Sequence, residues 1–259
     1  MNNLDNNRLI KGALGAVIAG AKIAETASVT QLVSHKGNLR DIVTQTDIDI
    51  SELLGKKLAA TGLPVISEEN YDPVETTPDV FWVVDPIDGT VNFAHDLPQY
   101  AVSAGLVDHG EFKLGVVCAP ALDELYFTLN PERALLNGKP FTHVHRSQQD
   151  ALVAASFGAK APLLYYAMFQ QVNESTRGCL RTGSAALNIC WAATGKLQAA
   201  YGFQAKLWDV AGALAIARAA GCEIILRHAP NTLTLDYCVG SQDVVRHVMN
   251  LAQENKLWD

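Results

Sequence analysis

The chain has 259 residues, 49% hydrophobic and 18% charged, a balance that builds a folded core and excludes a disordered tail or linker. Twenty Lys and Arg against 27 Asp and Glu leave a net charge of −7, which argues against nonspecific binding to nucleic acid or to an anionic membrane. That charge also suits an anionic substrate poorly, so a phosphate site has to carry its own local positive charge.

In chain order, residues 1–8 are polar and carry Asp5, with no secretory signal. A long helix is expected over about 6–33. Its apolar stretch from Gly12 to Ala24 is broken by Lys22, far below a membrane span, and rich in small residues that suit close packing. A second helix is expected over about 47–60, entered through Thr46-Asp47 as its cap. Strands follow near 64–67, 80–85, 100–107, 112–118 and 124–129, with a hairpin at Gly110 and a tight turn at Asn137-Gly138.

Beyond about 140 the pattern alternates. Strands near 151–157, 177–181, 197–201, 222–226 and 233–239 are interleaved with helices near 161–173, 184–194, 209–220 and 242–254. This predicts an α+β lobe over 1–140 joined to an α/β lobe over 141–259, the two also countable as one domain. Five cysteines (Cys118, Cys179, Cys190, Cys222 and Cys238) are scattered and odd in number, with no Cys-x-x-Cys pair. The expected setting is a reducing cytoplasm with mostly buried thiols.

The segment Trp82-Val-Val-Asp85-Pro86-Ile87-Asp88-Gly89-Thr90-Val-Asn-Phe93 carries the chemistry. Phe81 to Val84 reads as a buried strand. Pro86 restrains Asp85 toward an extended backbone, and Gly89-Thr90 opens a short helix. Two carboxylates aimed at one point in front of free backbone N–H groups suit divalent cations and a phosphate together. A bare Asp-x-x-Asp-Gly would read as turn chemistry; the whole segment is what points to a site.

Asp85 to Thr90 in this setting resembles the signature of the inositol monophosphatase family, magnesium-dependent and lithium-sensitive phosphatases. Four further segments match in the family's order: Asp41-Ile-Val-Thr44-Gln-Thr-Asp47, Ile66-Ser67-Glu68-Glu69, Arg181-Thr-Gly183-Ser184-Ala185-Ala186-Leu-Asn188, and Trp208-Asp209-Val-Ala-Gly212. The resemblance covers nearly the whole chain. It implies a layered α-β-α-β-α sandwich, a site where the lobes meet, a homodimer, and hydrolysis of a small phosphorylated metabolite. A partner membrane is not expected, and neither is nucleic acid.

The acidic candidates Glu68, Glu69, Asp85, Asp88 and Asp209 offer only oxygen, which favours magnesium over zinc. The resemblance assigns Glu68, Asp85 and the Ile87 carbonyl to one Mg2+ and Asp85, Asp88 and Asp209 to a second, with Glu69 a neighbour outside. Two cations activate a water and stabilise the departing ester oxygen. The resemblance also implies a proton path from the water through Thr90 to Asp47, with Glu68 nearby. The backbone N–H groups of Gly89 and Thr90 and the segment Gly183, Ser184 and Ala185 then lie against phosphate and substrate. By position alone Asp47 and Asp209 read equally as helix caps, and Ser184 as the cap of the helix near 184–194.

The substrate stays open. Inositol-specific members carry a glutamate upstream of the Trp-Asp motif, where this chain has Gly202 and no acidic residue between Tyr201 and Leu207. Gln204 is one candidate to replace it, and Lys206 reads either as a surface lysine or as a group for a second anion. The candidates are an inositol monophosphate or related sugar or polyol phosphate, fructose 1,6-bisphosphate, or the 3′-phosphate of a nucleotide or NADP phosphate. A different class, a regulatory protein acting through a protein or RNA partner, is the alternative. The full set of ligands and the Thr90–Asp47 pair argue against it.

Overall fold

In the computed structural model, residues 3–27, 32–35, 42–71, 77–158, 160–228 and 232–258 are described. Helix α1 (Asn3–Thr26) buries Leu9, Ala13, Ala16 and Val17 along one stripe. It ends earlier than its periodicity predicted. Leu32–His35 instead forms strand β1, antiparallel to the nearby β2 (Ile42–Thr44). Helix α2 (Gln45–Ala59) is capped by Thr44, so Asp47 lies inside its first turn and is not the cap. Asp41, the first residue of its motif, lies outside the described residues.

A seven-stranded sheet follows in sequence order: β3 (Val65–Ser67), β4 (Val80–Asp88), β5 (Ala101–Asp108), β6 (Glu111–Ala119), β7 (Glu124–Asn130), β8 (Arg133–Leu136) and β9 (Lys139–Phe141). Only β3 and β4 pair in parallel. The turns at His109-Gly110 and Asn137-Gly138 both have positive φ at their two central residues, the turn that matches strand twist. Short helix α3 (Thr90–Ala94) leaves the end of β4.

The second half gives β10 (Leu152–Ser156), α4 (Leu163–Ser175), β11 (Gly178–Leu180), α5 (Ala185–Ala193), β12 (Ala199–Lys206), α6 (Leu207–Ala219), β13 (Glu223–His228), β14 (Thr234–Gly240) and α7 (Gln242–Glu254). Its five-stranded sheet runs β11-β10-β12-β14-β13, with β10 parallel to both neighbours and β14 antiparallel to both of its own. Helices α1 and α2 cover one face of the large sheet, α5 and α6 fill the space between the sheets, and α4 and α7 cover the far face. The layers therefore stack α-β-α-β-α. One apolar cluster fills both gaps around α5 and α6, and two more fill the outer gaps under α1 and α2 and under α4 and α7.

Helix α6 is apolar and buried nearly all round, as a middle layer requires. Three glycines let it lie directly on the large sheet. Gly105 and Gly115 are register partners on β5 and β6, and Gly212 sits over them. A Cβ on Gly115 would come 2.0 Å from the Gly212 carbonyl oxygen, and one on Gly212 would come 2.7 Å from that of Ala104. This contact sets the height of Asp209, one turn earlier on the same helix. Among the described residues no helix is long and apolar enough to cross a membrane, and all five cysteines are free thiols.

Candidate active site

Strand β4 does not stop at Asp85 as the proline suggested; it runs on to Asp88 through a bulge. Asp85 pairs with Ser103 and Asp88 with Ala101, so Pro86 and Ile87 together face Val102 alone. Side chains three apart on a regular strand point to opposite faces, and the extra residue returns Asp88 to the side of Asp85. Pro86 occupies the bulge, where a missing N–H is tolerated. Gly89 then turns the chain with φ +96, and a Cβ there would lie 2.8 Å from the Gln99 carbonyl oxygen.

Because β3 runs parallel to β4, its end places Glu68 and Glu69 beside the end of β4. Asp85 is buried, and its Oδ1 accepts the Ile87 N–H at 3.0 Å. Burial first, then the charges of Glu68, Asp88, Asp209 and Asp47, push its carboxyl well above the ordinary range. Asp209 is raised likewise, by burial and then by Glu68 and Asp88. It is the third residue of α6, not its cap, and its Oδ2 accepts the Lys206 N–H at 3.1 Å.

Asp88 is held by the start of α5. It accepts the Ser184 hydroxyl, the Ala186 N–H at 2.8 Å and the Ala185 N–H at 3.1 Å. Burial raises its carboxyl to about 6, with those donors pulling the other way. Ser184 also accepts the Leu187 N–H, the capping role expected of it.

Among the described residues no three His, Cys, Asp or Glu side chains already stand as a metal cage; Asp85, Asp88 and Asp209 are turned to backbone and hydroxyl donors. The donor set nevertheless fits hard divalent cations. It is oxygen throughout, and the mutual repulsion of its buried carboxylates is the charge that such cations relieve.

Asp47, only 2% exposed, meets Thr90 from the other side. Its Oδ2 accepts the Thr44 N–H at 2.8 Å and the Thr44 hydroxyl, and its Oδ1 lies 3.3 Å from Thr90 Oγ1. The Thr90 hydroxyl is also 2.9 Å from the Ile87 carbonyl oxygen, so two acceptors share one hydrogen. Burial raises Asp47 to about 6, with the charge of Glu69 contributing.

A cavity of about 680 Å3 opens from Asp88 and Asp209 and extends past Gly183 and Ala185 to Phe157, Arg181 and Gln204. Ser184 is buried behind its wall. Gly202 and Tyr237 are register partners on β12 and β14, and a Cβ on Gly202 would lie 2.4 Å from the Tyr237 ring. The ring thus fills the space a side chain at 202 would need. Lys206 does not line the cavity; its Nζ lies 3.2 Å from Thr234 Oγ1.

Two groups were missed in the sequence. Arg181 stood in a matched motif without a role, and it is the cation that lines the cavity. Asn92 donates to the carbonyls of Gln99 at 2.7 Å and Thr182 at 2.8 Å, tying the end of β4 to the turn before α5. Only its place three residues after Gly89 hinted at this.

A profile described as "Inositol monophosphatase family" matches residues 5–254. "Inositol monophosphatase 1" of Solanum lycopersicum is 34% identical over 218 residues, 78% of each chain. A Thermotoga maritima protein named "Fructose-1,6-bisphosphatase/inositol-1-monophosphatase" is 30% identical over 194 residues, 73% of each chain. Among solved structures, the extragenic suppressor protein suhB from Bartonella henselae superposes with a TM-score of 0.84 at 22% identity, covering 95% of this chain and 99% of that one.

Proposed function

The chain belongs to the inositol monophosphatase family and is a phosphoric monoester hydrolase, and from that premise we propose a magnesium-dependent phosphatase of small phosphorylated metabolites. The observation that carries this reading is the gathering of Glu68, Asp85, Asp88 and Asp209 beside the Asp47–Thr90 pair at one end of a cavity. Residues 1–140 are read as the lobe that brings all of these but Asp209, which comes from 141–259.

Glu68, Asp85 and the Ile87 carbonyl, with Asp88 and Asp209, are the proposed ligands. When bound, the magnesium ions supply Lewis-acid activation of water and stabilisation of charge on the departing ester oxygen. Thr90 Oγ1 accepts a proton from the attacking water while its own hydrogen passes to Asp47 Oδ1. A carboxylate behind the hydroxyl is needed because threonine is a poor base alone. With the Ile87 carbonyl engaged as a ligand, Asp47 is left as the acceptor for that hydrogen. The N–H groups of Gly89 and Thr90 begin a helix and have no partner within it, which suits a phosphate oxygen.

The substrate reading follows from position 202. No carboxylate stands there to accept hydrogen bonds from a polyol ring, so inositol 1-phosphate is expected to be no better than other phosphomonoesters. Release of inorganic phosphate from a panel of phosphomonoesters, with and without magnesium, tests the proposal. Absence of any magnesium-dependent release refutes it.

A further inference from the structure

We infer that Arg181 is a specificity-determining residue of this site, and that it selects phosphomonoesters bearing a second phosphate on the leaving group. The reaction rests on the function proposed above; the position and charge of Arg181 do not.

Among the described residues lining the cavity, Arg181 alone is positively charged, and the only acids, Asp88 and Asp209, belong to the chemical end. Its guanidinium carbon lies 4.0 Å from the centre of the Phe157 ring, and one N–H donates to the Phe157 carbonyl at 2.6 Å. That ring is itself held edge-on by Tyr166 at 5.1 Å and Tyr165 at 5.9 Å, and Tyr165 stacks on Phe203 at 4.4 Å. The arginine is therefore oriented before any ligand arrives.

It is also uncommitted. Arg177 and Arg227 are paired with Asp150 and Asp236, whereas Arg181 forms no ion pair among the described residues. A guanidinium has five N–H donors, and one is used here. Stacking on an aromatic face leaves the donor edge free for the two-point contact that phosphate accepts.

The neighbouring wall agrees. Gln204 adopts φ +54 inside a β-bulge between Gly202 and Ala205, and its N–H donates at 2.7 Å to Asp236, which the Arg227 ion pair holds in place. A bulge re-aims the side chain it carries, and this one lines the cavity with a neutral amide that does not repel an anion. The Tyr237 ring keeps position 202 free of any carboxylate. Lys206, bonded to Thr234, lies outside this wall.

The test compares fructose 1,6-bisphosphate with fructose 1-phosphate, which share the scissile ester and differ in the second phosphate. The wild type is expected to favour the bisphosphate, and Arg181→Ala to lower the ratio of kcat/KM by about tenfold, chiefly through KM for the bisphosphate. Arg181→Gln, which keeps length without charge, should do the same, and Lys206→Ala should keep the ratio. Calorimetry of both sugars in a Thr90→Ala background reads binding apart from turnover. Equal losses for both substrates in Arg181→Ala, a preference that survives it, or one abolished by Lys206→Ala overturns the inference. If neither sugar is hydrolysed, the wider phosphomonoester panel decides the phosphatase reading, and the calorimetric ratio still decides the role of Arg181.

Discussion

Asp47 in the first turn of α2 accepts the hydroxyl of Thr90 at the start of α3, 43 residues further along the chain, at 3.3 Å. The same carboxylate accepts the backbone N–H of Thr44, the cap of its own helix, so one buried group serves both packing and the proposed proton path. The two roles separate experimentally. Thr90→Ala is expected to lower kcat by about a hundredfold or more while cation affinity, read by calorimetry, stays within a few-fold. Loss of cation binding with no separate effect on turnover would leave Asp47 a helix partner only.

Asp47 titrates near 6 because burial disfavours its charged form, against 3.8 when exposed. The relay needs the carboxylate ionised, so the kcat profile should fall on the acid side near 6 and lose that limb in Asp47→Asn. Stability runs the opposite way. A raised carboxyl pKa favours the fold fully below 3.8, and that contribution is lost as pH rises through about 6. Thermal melts of the metal-free protein should show this slope, and Asp47→Asn should flatten it.

Metal binding is expected to stabilise most where the carboxylates are ionised. Magnesium should raise Tm more at about pH 7.5 than at about pH 5, since burial raises Asp88 to about 6 and also raises Asp85 well above the ordinary carboxylate range. A chelator should abolish hydrolysis and magnesium restore it. Asp85→Asn should be the most damaging ligand change, because it weakens both proposed positions. Full activity in chelator overturns the metal reading.

Gly115→Ala should lower Tm by roughly 5–10 °C, the cost of a methyl group forced into the backbone of α6. Cation affinity should fall with it, because α6 carries Asp209 one turn before Gly212. Gly55→Ala, in α2 with nothing within 4 Å of its added Cβ, is the control and should be neutral or stabilising. Equal melts for the two variants exclude the proposed packing.

Gly202→Glu should not confer selectivity for inositol 1-phosphate. Its Cβ meets the Tyr237 ring at 2.4 Å, so the chain must shift before any carboxylate reaches the cavity. The expected result is a lowered melt and an unchanged substrate ratio. Tyr237→Phe should cost no stability, since the buried hydroxyl meets no hydrogen-bond partner among the described residues.

Much of the fold was legible locally. The apolar run Phe81–Val84, the turn residues at Gly110 and Asn137-Gly138, and Ser184 as a cap each state a short-range preference that the tertiary fold retained. Local patterns failed where pairing with another strand decided the outcome. Leu32–His35 became a strand because Ile42–Thr44 pairs with it, and β4 passed its proline because β5 accepts a bulge.

The candidate site divides the same way. Residue type and motif order marked the carboxylates and Thr90 as candidates, because a hard-cation site would demand oxygen donors and a phosphate site would demand glycine beside them. Which of two basic residues faces the substrate cavity was beyond the sequence. Lys206 adjoins the Trp-Asp motif yet turns to Thr234, while Arg181 reaches the cavity because Phe157, from a neighbouring strand edge, offers its ring and carbonyl. Charge and hydrogen-bonding capacity are properties of a residue and can be read in order along the chain. Direction is set by what packs behind a side chain, and only the tertiary structure brings those groups together.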